Sequence, residues 1–180
     1  HARMACSAAY ALASSADLIS ASAEADVGSI GVVINHMDIS GWLAEVGIKV
    51  TAIQSGTRKT DGASWKLLSE EALAHLQSVV DQVARRFVSV VEAGRGMTAE
   101  AIVALEAGWF LAQHDDAARS GLDLGLVDDI ASERAAFAAL ANSLSETTGT
   151  GAPAGTGTTA AKPAARATKK AKETEMTLEE

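Results

Sequence analysis

The fold class is indicated by residues 29–54, which read SIGVVINHMDISGWLAEVGIKVTAIQ. The run Ser29–Asn35 is apolar and rich in β-branched residues, which predicts a buried strand. A helix is predicted over Ile39–Val46, ending at Gly47, and a second strand over Ile48–Gln54. Strand, helix and strand in this order favour an α/β arrangement with parallel strands.

The same alternation continues on both sides of this unit. Upstream, a small-residue helix is predicted over Ala5–Ser14 and a strand over Asp17–Ser22. Downstream, a loop at Gly56–Ser64 leads into a long helix from Ser69 to Glu92, whose apolar residues recur at helical spacing. Ser69 can cap that helix, because a serine hydroxyl accepts a hydrogen bond from a first-turn N–H.

Shorter elements complete the predicted domain. They are a helix from Thr98 to Glu106, a short helix at Asp115–Ser120, a strand at Leu126–Asp129 and a final helix at Ser132–Leu144. Repeated alternation of strands and helices predicts an α/β fold with a largely parallel sheet.

The composition changes after residue 145. Residues 146–180 hold a Gly/Thr/Ala/Pro linker, a basic cluster at Lys162–Lys172 and an acidic end at Glu173–Glu180, without an aromatic residue. Such a segment cannot bury enough apolar surface to offset the entropy of ordering, so it is predicted to be disordered. We therefore expect one domain over residues 1–145 and a solvated tail over 146–180.

Composition and charge narrow the function classes. The net charge of −8 argues against a general nucleic-acid or anionic-membrane binder. The single cysteine, Cys6, excludes an internal disulfide, and the four histidines lack metal-ligand spacing, so we expect neither a metal site nor a cofactor. No apolar run approaches the roughly 18 residues that span a bilayer.

Three local features carry candidate chemistry. Ser7 lies among small residues at the start of a predicted helix, where backbone amides can stabilise an oxyanion. Gly28 and Gly31 bracket Ser29 and allow another backbone to approach closely. A glycine-bounded polar loop, Gly56–Gly62, carries two adjacent cations. Taken singly, each feature also fits a structural role: an alanine-rich helix start, a tight turn and a solvated loop.

In this order, the features resemble the signal peptide peptidase A family of serine peptidases, and within it the bacteriophage capsid-assembly (prohead) proteases. The family's nucleophile motif, a Ser followed by two small residues and an aromatic, matches Ser7–Tyr10. Its Gly-Ser-Ile-Gly-Val block matches Gly28–Val32, and its Gly-x-x-Lys-x-x-Gly loop matches Gly56–Gly62. Its late Gly-Leu-Val-Asp strand matches Gly125–Asp128, so the resemblance extends over about residues 1–140.

The resemblance implies a Ser-Lys dyad without metal or cofactor. Ser7 corresponds to the nucleophile and Lys59 to the general base, which must be a neutral amine to take a proton. The hydroxyl of Ser29 corresponds to the group that orients the lysine. The backbone N–H of Ala8 corresponds to an oxyanion donor. Extended peptides with small or apolar residues are the implied substrates.

The resemblance also implies a fold and partners. The family fold is a spiral of βα units, shared with Clp proteases and crotonases, that begins upstream of the nucleophile. The chain starting at His1 is therefore expected to lack part of that spiral and to have low activity alone. The implied partners are capsid or scaffold proteins and further copies in a ring, in the host cytoplasm or prohead. Inner-membrane association would require an upstream anchor.

Four alternatives remain open at this stage. One is a cellular peptidase of the same family that degrades signal peptides, and another is a head scaffold protein that keeps the fold without catalysis. A Clp-type Ser-His-Asp peptidase would need a His at position 32, where Val32 stands, and His36 lies four residues further on. A crotonase-like acyl-CoA enzyme would need neither Ser7 nor Lys59. Cys6 adjoins Ser7 and is a less favoured nucleophile.

Overall fold

A computed structural model describes the chain over residues 1–149, with side chains described to residue 145. Residues 150–180, most of the predicted tail, lie outside the described residues. The elements of the described part are, in chain order, β1 (Ala2–Cys6), α1 (Ala8–Ala13), β2 (Ser20–Gly28), α2 (Ser40–Glu45), α3 (Glu70–Arg95), α4 (Ala99–Val103), β3 (Trp109–Leu111), a 3₁₀ turn (Ala117–Arg119), β4 (Asp129–Ile130) and α5 (Glu133–Gly149). Strands and helices alternate except for the three successive helices α2, α3 and α4.

The sheet is organised around β2. Strand β1 pairs with β2 in parallel, with Cys6 opposite Gly28 at the carboxyl ends of both strands. Strand β4 pairs in parallel with the start of β2, and β3 pairs antiparallel with its end. The α/β class is confirmed, with one antiparallel pairing in an otherwise parallel sheet.

A small core lies between this sheet and the helices. Tyr10, Val27, Val91, Ile102 and Leu126 are fully buried together. The Tyr10 hydroxyl donates to the Leu126 carbonyl at 2.8 Å. Because these side chains come from strands, helices and a loop, the core fixes the sheet against α1, α3 and α4.

An ion pair between the buried guanidinium of Arg95 and the half-buried carboxylate of Asp128 lies at the edge of the core. The side chain of Arg95 is 5% exposed and donates two bonds of 2.7 Å to the carboxylate of Asp128. It also donates to the Gly125 carbonyl, and Asp128 accepts the backbone N–H of Ile19 at 2.8 Å. The Gly-Leu-Val-Asp block seen in the sequence therefore joins α3 to the start of β2.

Two predicted strands are wrong. Neither Ser29–Asn35 nor Ile48–Gln54 forms a strand; Val33 is 75% exposed and Ile53 is fully exposed. The backbone turns out of the sheet at Gly28 and Ser29, which have φ angles of 100° and 51°. The chain after β2 therefore has no strand beside it to complete a ladder, whatever its β propensity.

Several other elements begin or end at residues different from those predicted. The first helix begins at Ala8 because the preceding residues belong to β1, and the strand predicted at Asp17–Ser22 is displaced to Ser20–Gly28. The strand predicted at Leu126–Asp129 is reduced to Asp129–Ile130. β3 was not predicted, since it has only three residues.

The helix predictions were more accurate. Helix α2 ends before Gly47, as predicted, and Gly47 has a φ of 72°. The hydroxyl of Ser69 accepts the N–H of Ala72 at 3.2 Å, so the predicted cap of α3 is confirmed. Thr98 caps α4 in the same way. The short helix predicted at Asp115–Ser120 is a 3₁₀ turn.

Candidate active site

Ser7 occupies a strained turn between β1 and α1. Its φ and ψ are 54° and −128°, a conformation that costs a non-glycine residue on the order of 1–3 kcal/mol. Its N–H donates to the Gly28 carbonyl at 2.9 Å, and its carbonyl accepts the N–H of Tyr10 at 2.8 Å. The hydroxyl does not cap α1. The backbone is thus held on both sides while the side chain is left exposed.

Ser29 lies beside Ser7 because of the sheet register. Cys6 and Gly28 are paired at the carboxyl ends of two parallel strands, and the two serines directly follow them. Ligands of parallel α/β sheets bind beyond this edge. The N–H of Ser29 donates to the Gly108 carbonyl at 2.6 Å, and Ser29 also has a positive φ.

Glycine is required at position 28. Its φ is 100°, and a Cβ there would lie 2.9 Å from the Gly108 carbonyl oxygen. Both conditions exclude a side chain. Gly28 therefore allows the Gly108 carbonyl to lie close to the end of β2, where it accepts the N–H that holds Ser29 in place.

The turn Glu106–Gly108, which sequence reasoning missed, packs against the segment Gly28–Gly31 that carries Ser29. Glu106 and Ala107 have φ angles of 50° and 54° although neither is a glycine. Across residues 1–149, the non-glycine residues with positive φ are these two and the two serines. Backbone strain is thus concentrated where the segments after β1, after β2 and before β3 meet, as is common at functional sites. Only Gly108 marked this turn in the sequence.

A cavity of about 580 Å³ opens beside the two serines. Two hydroxyls, Ser7 and Ser29, and one cation, Arg86, face a wall that is otherwise small or apolar. The remaining lining residues are Ala8, Ala11, Gly31, Val32, Val33, Val83, Phe87 and Val90. Helix α3 supplies one side of the cavity and α1 another.

Four of the six predicted site residues line this cavity. They are Ser7, Ala8, Ser29 and Gly31, with Gly28 directly beneath. Within the described part of the chain, the N–H of Ala8 donates to no acceptor, so it is free to bind an oxyanion.

Lys59 lies elsewhere. It is exposed on the loop after Ser55 and lines a second cavity of about 510 Å³, with residues 50–55, Thr60 and Trp65. Its neighbour Arg58 forms exposed ion pairs with Asp61 and Glu71. The structure therefore brings the two serines together but does not place Lys59 in their cavity.

The other candidate nucleophile and base occupy different surroundings. Burial raises the pKa of the Cys6 thiol, and the nearby Asp26 adds to the effect, so the reactive thiolate is disfavoured. His36 has its Nδ1 atom 3.2 Å from the Gly62 carbonyl and lines neither cavity. Over the described residues, we find no group of three or more potential metal ligands.

Comparison with known proteins decides the family. The model of Peptidase family S49 matches residues 1–147, which contain both strained serines and every cavity residue. The chain belongs to peptidase family S49. The resemblance of its motifs to the signal peptide peptidase A family is thereby confirmed.

Several curated relatives of this S49 chain carry informative names. It is 34% identical over 140 residues to the head-tail preconnector protein GP5 of Enterobacteria phage P21, covering 78% of this chain and 27% of that protein. It is 30% identical over 141 residues to capsid assembly protease C of Escherichia phage lambda, covering 78% and 31%. A protein of Enterococcus faecium, named as a candidate signal peptide peptidase SppA, is 33% identical over 121 residues, covering 67% and 34%.

The S49 chain thus spans about a third of these relatives or less. In the part of it that the structure describes, no helix is long and apolar enough to cross a bilayer.

Proposed function

We propose that the chain carries the nucleophile of a serine endopeptidase that cleaves capsid or scaffold proteins during assembly of a phage head. The observation that carries the proposal is the exposed, strained Ser7 beside Ser29 in an apolar cavity at the carboxyl ends of β1 and β2. Family membership and the two phage relatives support the reaction and the substrate class. The site of action is then the infected cell and the prohead.

In this mechanism Ser7 attacks the scissile carbonyl carbon. Its Oγ forms a bond to that carbon while the neutral amine of Lys59 takes the hydroxyl proton. The N–H of Ala8 stabilises the oxyanion, and the proton then passes to the leaving amine as the C–N bond breaks. Water hydrolyses the resulting acyl-enzyme and regenerates Ser7.

Lys59 has to be brought to Ser7 before the reaction can start. Because Lys59 lines a separate cavity, it must reach Ser7 by movement of its loop or from a neighbouring copy. A ring of chains, arranged as Clp-like spirals of βα units, meets the second condition. In the assembled site the hydroxyl of Ser29 orients Lys59, and Gly28 and Gly31 support Ser29 by letting the turn Glu106–Gly108 pack closely against its segment.

Three variants test the dyad. Cleavage of a capsid or scaffold protein is expected to disappear in Ser7→Ala and Lys59→Ala and to fall in Ser29→Ala. Ser15→Ala and Lys49→Ala are matched controls, since both residues are exposed and line neither cavity. Full cleavage by Ser7→Ala would refute the nucleophile. Full cleavage by Lys59→Ala would refute the base.

Mixing two inactive variants separates the two ways of completing the site. If neighbouring copies share the dyad, Ser7→Ala mixed with Lys59→Ala regains activity, because some interfaces combine both intact residues. If the dyad closes within one chain, the mixture stays inactive. Light scattering on the same samples reports whether the chains assemble.

A further inference from the structure

Arg86 is the charged residue of the Ser7 cavity. It lies on α3 and lines the same space as Ser7 and Ser29, among side chains that are otherwise small or apolar. Helix neighbours three and four positions away are Gln82, Val83, Ser89 and Val90, none of which is acidic. Over residues 1–145, Arg86 forms no ion pair and no side-chain hydrogen bond. Its guanidinium is available to a ligand of the cavity.

Three other arginines form ion pairs in the described residues, whereas Arg3, Arg85 and Arg134 form none there; Arg86 differs from those three because it lines the Ser7 cavity. Arg95 pairs with Asp128, Arg58 with Asp61 and Glu71, and Arg119 with Asp116. A guanidinium presents planar donors that match a carboxylate at two points, and apolar surroundings strengthen such a pair by excluding water. The walls beside Arg86 are formed by Val83, Phe87 and Val90, of which the two valines are each 42% exposed, so water is excluded only when a bound peptide covers them.

We propose that Arg86 binds a carboxylate of the peptide that occupies this cavity. The inference rests on the proposed function, because it takes the cavity beside Ser7 to be the peptide site. The preferred ligand is then an apolar or small-residue segment that carries one negative charge, either an acidic side chain or a free C-terminal carboxylate. Arg86 acts as a specificity residue, and the bond-breaking step remains with Ser7.

Peptide binding to the full chain with Ser7→Ala tests the proposal without turnover. Three fluorescent peptides of one small-residue sequence are compared by anisotropy: Glu with an amidated C-terminus, Gln with a free C-terminus, and Gln with an amidated C-terminus. At least one charged peptide is expected to bind about ten- to a hundredfold more tightly than the neutral one. The charged peptide that binds more tightly than the neutral one shows whether the carboxylate comes from an acidic side chain or from the C-terminus.

A second substitution on the same helix assigns the effect to Arg86. In the Ser7→Ala background, Arg86→Gln is expected to abolish the preference, and Arg86→Lys to retain part of it, because lysine keeps the charge but not the planar fork. Arg85→Gln removes the same charge from the adjacent residue, which does not line the cavity, and should keep the preference. Circular dichroism verifies that each variant is folded.

Three results would overturn the inference: equal affinity for all three peptides, no binding of either charged peptide, or a charge preference that survives Arg86→Gln. Failure of the proposed function is separate, since it appears as cleavage that does not depend on Ser7. A Ser7-dependent peptidase with no charge preference would leave the proposed function in place and remove Arg86 from it.

Discussion

The packing of Gly31 against Ala107 gives the sharpest stability prediction. A Cβ at position 31 would lie 2.5 Å from the Cβ of Ala107, whereas carbon atoms in contact prefer about 3.5–4.0 Å. Gly31→Ala therefore has to displace the strained turn before β3, and overpacking of this kind costs roughly 1–3 kcal/mol. For a domain of this size that lowers Tm by about 2–12 °C.

A second substitution should relieve the clash. Ala107→Gly removes the overlapping atom, and the next atom, the Ala107 Cα, would lie 3.8 Å from the new Cβ, an ordinary contact. Glycine also adopts the φ of 54° at position 107 without strain. Against this, it makes the unfolded chain more flexible, which lowers the stability by about 0.4–1 kcal/mol. The double variant should therefore be about as stable as Ala107→Gly alone.

Urea unfolding followed by circular dichroism measures all four members of this cycle. Gly41→Ala is the matched control, because a Cβ there meets no atom within 4 Å, and it should not destabilise the protein. If Gly31→Ala costs the same in the presence and absence of Ala107→Gly, the two segments do not touch as described. The turn Glu106–Gly108 would then lose its contact with Gly31, and the hydrogen bond from the Ser29 N–H to the Gly108 carbonyl would have to be tested separately.

The remaining predictions concern the core and one helix cap. Asp128→Ala leaves the buried guanidinium of Arg95 without its carboxylate and should cost about 3 kcal/mol in urea unfolding. Tyr10→Phe removes the donor to Leu126 and should cost about 1–2 kcal/mol. Burial raises the pKa of Tyr10 above its ordinary value. The buried neutral phenol therefore stabilises the folded protein fully below about pH 10, and this stabilisation is lost as the pH rises further. Ser69→Ala should cost about 1 kcal/mol through loss of the α3 cap.

Each of these has its own control. Asp61→Ala breaks the pair with the exposed Arg58 and should cost less than about 1 kcal/mol. A loss of stability as large as that of Asp128→Ala would contradict the claim that burial of Arg95 makes its pair the more important one. Tyr10 is the one tyrosine of the sequence, so phenolate absorbance should appear only as the chain unfolds in alkali. Phenolate formation in the folded protein would contradict its burial. Ser69→Asp should retain the cap of α3. Equal losses of stability in Ser69→Ala and Ser69→Asp would refute the role of the Ser69 side chain as that cap.

Local signals in the sequence predicted the helices well. The Ser69 cap, the left-handed Gly47 and the Thr98 cap are contacts within a few residues, so the side chains that make them are visible in the sequence. The identity of Ser7 as a candidate was also local, resting on small neighbours and an aromatic at position 10. Its strained turn depends on the Gly28 carbonyl from another strand and could not be seen.

The errors arose where tertiary contacts override propensity. Ser29–Asn35 has strong β propensity but no strand beside it, because the chain leaves the sheet at Gly28. The turn Glu106–Gly108 carries its two positive φ angles on Glu106 and Ala107, which do not favour them, so Gly108 was its only signal in the sequence. Cavity residues of α3, including Arg86, were seen only as part of a helix. Motif spacing gave no information on whether Lys59 and Ser7 share a cavity.

The central claim is that Ser7 is the nucleophile. The most direct measurement is to treat the full chain with a fluorophosphonate and to map the modified residue by mass spectrometry, with Ser7→Ala in parallel. The account predicts one phosphonylated peptide containing Ser7 and no labelling of Ser7→Ala. Modification of a different residue, or unchanged labelling of Ser7→Ala, would contradict it.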